Sequence, residues 1–410
     1  MSGSSEGRAK GGERLVLNLL LLGVSIGVVL VLFELGLRLF ADVPHPFRVD
    51  GKDSGEYVFD PLRQRVLNKY VPYRYAPSTR VVRPDPAIMP GLSPEVTFTV
   101  DRWGFRGTHE VAFEKPPGTT RIVAIGGSTT ECKDLDDGEA WPELLRQELD
   151  AERPGIEMLN AGFSGDTSRD HIAHLAQYLV PFRPDVALFL VGINDVDMQM
   201  KPDYSILRQD TRSQVIQEPP PFLLMVKVWG SDFSHLGRLG VYGLRRFRTT
   251  DAKGNPVQDL RGGWMAERRE HLQALPLREI DVTRWPTREY EQNVRTLVGT
   301  ARANGIEPIF LTQPVLWGAP PGDWEKLLWV SPHPDFRIAH QQLWQVMERF
   351  NDVVRRVGAE QDALVVDLAR LLPKSTEIFY DDDHYTVVGS RRVAEIVGGE
   401  LARLRWTERL

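Results

Sequence analysis

A single cysteine, Cys132, stands in 410 residues, which excludes an internal disulfide and any Cys-x-x-Cys metal site. Nine histidines are present without a His-Glu-x-x-His run. His171 and His174 lie three apart on a predicted helix and read as core or surface histidines rather than ligands. No long basic run occurs, and 50 Lys and Arg against 56 Asp and Glu give a formal net charge of -6. That balance argues against nucleic acid as a partner. No metal and no cofactor are expected.

One long apolar run is present, at the N-terminus. From Leu15 to Phe33 only Asn18 and Ser25 are polar. Nineteen residues at the helical rise span about 28 Å, close to the hydrocarbon thickness of a bilayer. No small-x-small cleavage site follows, and Glu34, Leu35 and Arg38 continue the helical pattern, so an uncleaved signal anchor is favoured over a cleaved signal peptide. Arg8, Lys10 and Arg14 place the N-terminus in the cytoplasm and the remainder outside, periplasmic or extracellular. The expected organisation is a tail over 1–14, a transmembrane anchor over 15–40, and a membrane-proximal lead-in over 41–117. The main domain then covers 118–410. In the lead-in, Val96 to Val100 alternates as a strand and Trp103 to Gly107 reads as a turn.

From Arg121 the pattern becomes regular. Apolar strands are predicted at Ile122 to Ile125, Ile156 to Leu159, Val186 to Val191, Pro308 to Leu311 and Ala363 to Val366. Helices are predicted near 139–151, 169–179, 288–304, 337–357 and 390–404. This alternation implies an α/β fold, a parallel sheet of about five strands flanked by helices on both faces in three layers. One interruption, about 201–285, holds Pro219 to Pro221, many arginines and a predicted short helix over 233–247. It reads either as an inserted cap or as a surface loop solvated by its arginines.

Chemistry-bearing residues follow the strands, where ligand sites of parallel α/β sheets lie. The first strand runs through Gly126 and Gly127 into Ser128. The second leads into Asn160 to Thr167, a turn whose backbone N–H groups can point into a site. The third leads into Gly192-Ile193-Asn194-Asp195, and Asp381-Asp382-Asp383-His384 precedes the last helix. Acyl transfer through serine needs a base, a group to orient it and donors for the oxyanion. Asp381, three residues before His384, can reach Nδ1 within one turn; Asp383 remains an alternative. Cys132 reads as a buried side chain beneath the turn rather than a rival nucleophile. Asp134, Asp136 and Asp137 lack EF-hand spacing and read as a solvated loop rather than a calcium site. Trp317, Trp324 and Trp329, after the fourth strand, suit packing somewhat better than sugar stacking.

Together these stretches resemble the SGNH, or GDSL-type, hydrolase family over about 121–404. GGS with Ser128, NAGFSGDT with Gly165, GIND with Asn194 and DDDH with Asp381 and His384 match the four family blocks in order. The resemblance implies a flavodoxin-like fold, Ser128 as nucleophile, His384 as base and Asp381 as its orienting acid. It makes the Ser128 N–H, the Gly165 N–H and the Asn194 amide the oxyanion hole. Two features depart from the family pattern: Gly127 replaces the usual aspartate, and three aspartates precede the histidine. The order Ser, Asp, His also suits α/β-hydrolases, but G-G-S-T-T lacks their second elbow glycine.

The expected activity is hydrolysis of an acyl ester, with O-acetyl groups on an envelope or extracellular glycan as substrate. The alternatives are an O-acyltransferase step in polysaccharide modification, partnered by a membrane O-acyltransferase, and a non-catalytic glycan-binding protein.

Overall fold

The computed structural model describes residues 5–40, nearly all of 71–201, residues 204, 234–237 and 239, and nearly all of 260–410. The chain divides into two compact units. One comprises Met1–Pro61 and Pro219–Val257, the other Leu62–Glu218 and Gln258–Leu410.

In the first unit, helix α1 spans Ser5–Phe40. Within Leu17–Phe40 an 18-residue window reaches a mean hydropathy of 2.5 with none of that window buried, so the helix is long and apolar enough to cross a membrane. The helix begins ten residues before the apolar run predicted it, because the polar flank continues the same turn. Within that unit Glu34 accepts from Ser234 Oγ and the His235 and Leu236 amides.

The second unit begins with β1 (Ser78–Pro84), β2 (Val96–Val100), β3 (Thr120–Gly126), α2 (Ser128–Glu131), α3 (Trp141–Glu152), β4 (Ile156–Asn160) and α4 (Ser168–His174). It continues with β5 (Val186–Leu190), α5 (Ile193–Gln199), β6 (Leu260–Arg261), α6 (Gly263–Ala274), β7 (Leu277–Arg278), α7 (Arg288–Ala303) and β8 (Glu307–Leu311). The last elements are β9 (Arg337–Ile338), α8 (His340–Glu360), β10 (Leu364–Val366), α9 (Leu368–Leu371) and α10 (Val387–Arg403).

The main sheet has the order β10-β8-β5-β3-β4 and every pairing is parallel. All five strands coincide with the apolar runs predicted from sequence. Side chains alternate across β3, as the pleat requires. Ile122 and Ala124 pack with Trp141 and Leu145 of α3 and Val393 and Val397 of α10. Val123 and Ile125 face the opposite layer, with Leu297 of α7 and Val354 of α8. Fully burying such a side chain contributes about 1.5–3 kcal/mol. The strand therefore anchors both layers at once.

Topology positions the site. The chain steps from β3 to β4 on one side, then crosses back to β5 on the other, and this reversal opens a crevice at the carboxyl ends of the strands. Ser128, Gly165 and Asn194 all follow those ends.

Local differences from the sequence expectation have physical causes. The helix predicted over 337–357 starts at His340, since Arg337–Ile338 pairs in parallel with Leu277–Arg278. The last helix starts early, at Val387, because the Thr386 hydroxyl caps it by accepting from the Gly389 amide at 3.0 Å. The helix predicted over 169–179 widens into a π turn at Leu175–Leu179, just before Pro181. In the lead-in, β1 and β2 pair antiparallel and β6 joins β1, forming a small three-stranded sheet. Pro219 to Pro221 and nearly all of the helix predicted over 233–247 lie outside the described residues.

Candidate active site

Gly127 ends the first strand's turn, and Ser128 is the first residue of α2. Its N–H has no backbone acceptor among the described residues, as expected for a first-turn amide. A Cβ on Gly127 would lie 2.4 Å from the Asn194 Nδ2 atom. A side chain at position 127 would therefore require that amide to shift.

Three carbonyls at and just beyond the end of α2, those of Glu131, Cys132 and Leu135, accept from the buried Arg106 guanidinium. Arg106 also lies 3.5 Å from Asp137. The turn predicted at Trp103 to Gly107 therefore has a specific task, to fix the loop that follows Ser128. Sequence reading saw the turn and missed the anchor.

The acidic stretch after Cys132 is not a solvated loop, and that expectation is corrected. Asp134 and Asp137 are buried. Asp134 accepts from the Tyr380 hydroxyl at 2.9 Å, Asp136 from the Thr97 and Gly138 amides, and Asp137 from the Thr99 amide at 3.0 Å. Their charges serve backbone and hydroxyl donors, so they join the loop to β2. Cys132 is buried, and burial pushes its thiol up to about 12 despite the Arg106 charge. A thiol held protonated is a poor nucleophile. His171 and His174 are both core residues.

Ser128, Gly165, Asn194, Asp383 and His384 line one cavity of about 420 Å³. The structure thus brings the residues of all four sequence blocks to one place. Asp381 lies behind the ring, fully buried. His384 Nδ1 is 2.8 Å from Asp381 Oδ2 and 3.0 Å from Oδ1, but 3.5 Å from Asp383 Oδ1. Asp381 also accepts from the His384 amide at 2.8 Å, the Asp383 amide at 3.0 Å and the Trp329 indole at 2.8 Å. His384 Nε2 is buried and meets no hydrogen-bond partner among the described residues.

Burial opposes charge on this imidazole, but the Asp381 and Asp383 carboxylates outweigh it and hold its pKa above the ordinary value. Burial alone would raise the Asp381 carboxyl, but the imidazolium and the donors from His384 and Trp329 bring it below the usual carboxylate range. Burial and then the neighbouring Asp381 charge push Asp382 up to about 7. The Asp381, Asp383 and His384 ligand atoms lie within 4.8 Å of one another, the metal-like grouping among the described residues. Asp381 already spends both oxygens on these donors.

Two tryptophans assigned by sequence to packing do more than pack. Trp317 is buried and donates to Asp382 Oδ1 at 2.7 Å, while Asp382 Oδ2 accepts from the Trp329 amide at 2.8 Å. The Trp329 ring lies parallel to His384, 6.4 Å between centroids, and forms part of the cavity wall. Trp324 is partly buried against the core. The tryptophans stood out in sequence, but the acids they meet lie more than fifty residues further on.

Asn194 Nδ2 donates to the Asp166 carbonyl at 2.8 Å and keeps a second amide hydrogen. Gly165 has φ +83°, a conformation that suits glycine, and its N–H meets no acceptor among the described residues. Asp195 does not face the cavity chemistry. It accepts from the Ser168 amide and hydroxyl at the start of α4, and burial pushes its carboxyl up to about 7.

The arrangement is that of a doubly wound α/β protein with serine, histidine and oxyanion-type donors gathered at its topological switch point. A model of the GDSL-like Lipase/Acylhydrolase family matches residues 124–392, well over half of the chain, and the chain belongs to that family. Among curated proteins it is similar to an arylesterase of Vibrio mimicus, 29% identical over 75 residues, 18% of this chain and 38% of that protein. It is also similar to esterase TesA of Pseudomonas aeruginosa, 31% identical over 74 residues, 18% of this chain and 37% of that protein. The chain thus spans under two-fifths of the length of these relatives. Among solved structures it is similar to the acetylxylan esterase Axe2 of Geobacillus stearothermophilus, with 17% identity, a TM-score of 0.39, and coverage of 69% of this chain and 95% of that one.

Proposed function

We propose that this chain is a serine esterase whose acyl-enzyme forms on Ser128. The supporting observation is the convergence of Ser128, Gly165, Asn194 and His384 on one cavity, with Asp381 hydrogen-bonded to the far side of the imidazole. Ser128 Oγ attacks the ester carbonyl carbon as His384 Nε2 takes its proton. The carbonyl electron pair moves onto oxygen, where the Ser128 and Gly165 N–H groups and the Asn194 amide donate to it; removing one such donor costs about 10²- to 10³-fold in rate. Collapse breaks the bond to the alcohol, which leaves with the proton from His384. Water then repeats the sequence and releases the acid. Asp381 holds the proton-bearing Nδ1 toward itself, so Nε2 is the basic nitrogen.

The alcohol is a glycan hydroxyl and the acyl group short, commonly acetyl. Trp329, half-buried in the cavity wall, offers an aromatic face of the kind that stacks on sugar rings. Helix α1 anchors the chain in a membrane, with the catalytic unit on the exported side, a reading supported by its apolar Leu17–Phe40 stretch. Met265 and Arg268 of α6, from the end of the inserted segment, contribute to the same cavity, as a cap would.

The test is Ser128→Ala. Turnover of an aryl acetate should vanish while circular dichroism stays unchanged; retained turnover would sink the assignment.

A further inference from the structure

We propose that Arg74, in the lead-in outside the family-matched residues 124–392, is a positioning residue for the oxyanion donors, acting through Asp166 on Gly165 and Asn194. This rests on the esterase reading above.

Arg74 is 3% exposed and its Nη2 lies 3.0 Å from Asp166 Oδ2, whose side chain is equally buried. Its Nε donates to His174 Nε2 at 3.1 Å, and its guanidinium lies over the Phe163 ring at 5.0 Å. An arginine only donates, so His174 accepts and carries its proton on Nδ1. Burial, then the Arg74 charge, holds that imidazole well below its ordinary value, so it stays a neutral acceptor.

Asp166 is the hinge of the argument because its two ends serve different partners. The carboxylate meets Arg74, and the carbonyl accepts from Asn194 Nδ2 at 2.8 Å. Its amide donates to the Phe163 carbonyl at 3.1 Å, closing the turn that holds Gly165. On the other side of Gly165, the Ser164 amide donates to Glu131 Oε2 at 2.7 Å. Glu131 Oε1 in turn accepts from the Tyr75 hydroxyl at 2.5 Å. Adjacent residues of the lead-in, Arg74 and Tyr75, therefore reach both flanks of the turn. The Gly165 N–H lies between the two pinned residues and meets no protein acceptor among the described residues, which leaves it free to face an oxyanion.

Mispositioning these donors weakens transition-state binding more than substrate binding, so the loss belongs in kcat rather than KM. The experiment compares Arg74→Gln, Arg74→Lys, Asn194→Ala and the Arg74→Gln/Asn194→Ala double variant in the full chain. It measures aryl acetate kinetics, the rate of Ser128 phosphonylation by a fluorophosphonate, and thermal unfolding. Arg74→Gln should lower kcat by about 10- to 100-fold with KM within about two-fold, because the donors are displaced rather than deleted. Phosphonylation should slow by the same factor, since the phosphonyl oxygen uses the same donors. Arg74→Lys keeps the charge and should recover part of the rate. The double variant should fall little below Asn194→Ala alone, because both changes act on one unit.

Unchanged kcat and labelling, a loss confined to KM, or losses that multiply in the double variant would overturn the proposal. Should Arg74→Gln fail to fold, Arg74→Lys and the isosteric Asp166→Asn decide the matter by the same measurements. Ser128→Ala separates the two levels: turnover surviving that change defeats the esterase reading itself. An inert Ser128→Ala beside a fully active Arg74→Gln defeats only the positioning role.

Discussion

Replacing Asp383 with asparagine should move the acidic limb of the pH–activity profile downward, whereas replacing Asp381 should abolish most of the activity. The base must be neutral to accept the serine proton, so activity falls as pH drops through the pKa of His384. Both carboxylates raise that pKa above the ordinary 6.5. The limb of the unaltered protein therefore lies above pH 6.5. Asp383 Oδ1 is 3.5 Å from Nδ1. At that distance unit charges interact by about 1.2 kcal/mol in bulk water and about 5 kcal/mol at an effective dielectric near 20. With 1.36 kcal/mol per pKa unit, even the lower figure shifts the limb down by about 0.9 units. Asp383→Asn should consequently retain more of its maximal kcat/KM at pH 6 than the unaltered protein does. Asp381→Asn removes the charge and exchanges one acceptor oxygen for a donor that can select the wrong tautomer, and should cost about 10³-fold or more at every pH. The assay is kcat/KM for an aryl acetate from pH 5 to 10. An Asp383→Asn limb that stays in place or moves up, or a loss matching that of Asp381→Asn, refutes the assignment of roles.

Other consequences are open to the same scrutiny. Arg106→Met leaves Asp137 and three loop carbonyls without their buried partner; urea unfolding should show a loss of about 3–5 kcal/mol, and a change below about 1 kcal/mol would contradict the anchoring role. Trp329→Phe keeps a ring over His384 but deletes a donor to the Asp381 carboxylate, so kcat should fall by about ten-fold or more, with unaltered kcat counting against that contact. Incubation with an acetylated oligosaccharide and a sugar acceptor should yield free acetate; acetyl appearing on the acceptor instead would favour the transferase alternative. Deleting residues 1–40 should move the protein from the membrane fraction to the soluble fraction with turnover retained, and continued membrane association would contradict anchoring by α1.

The parts of the molecule visible in sequence are those with local signals. Short β-branched runs such as Ile122 to Ile125 identify strands buried on both faces, and each run lies in its strand to within a residue or two. Residues just past those runs, Ser128, Gly165 and Asn194, inherit their positions from the topology. Asp381 and His384 are close in sequence, so one turn brings them together. Contacts between distant segments left no such trace. Arg74 and Arg106 lie in a lead-in without a long helical period, and their partners at Asp166 and Cys132 are tens of residues away. Asp382 had no role in the sequence reading, which weighed only Asp381 and Asp383, and Trp317 and Trp329 claim its oxygens. Asp134 and Asp137 looked solvated because an acidic run usually is; the donors that bury them come from β2 and Tyr380.

The central claim is that Ser128 is the nucleophile. Fluorophosphonate labelling of the intact protein, followed by peptide mass spectrometry, tests it directly. The account predicts one adduct, on Ser128, absent from Ser128→Ala and formed far more slowly in His384→Ala. An adduct on another residue, or labelling undiminished in Ser128→Ala, would contradict it.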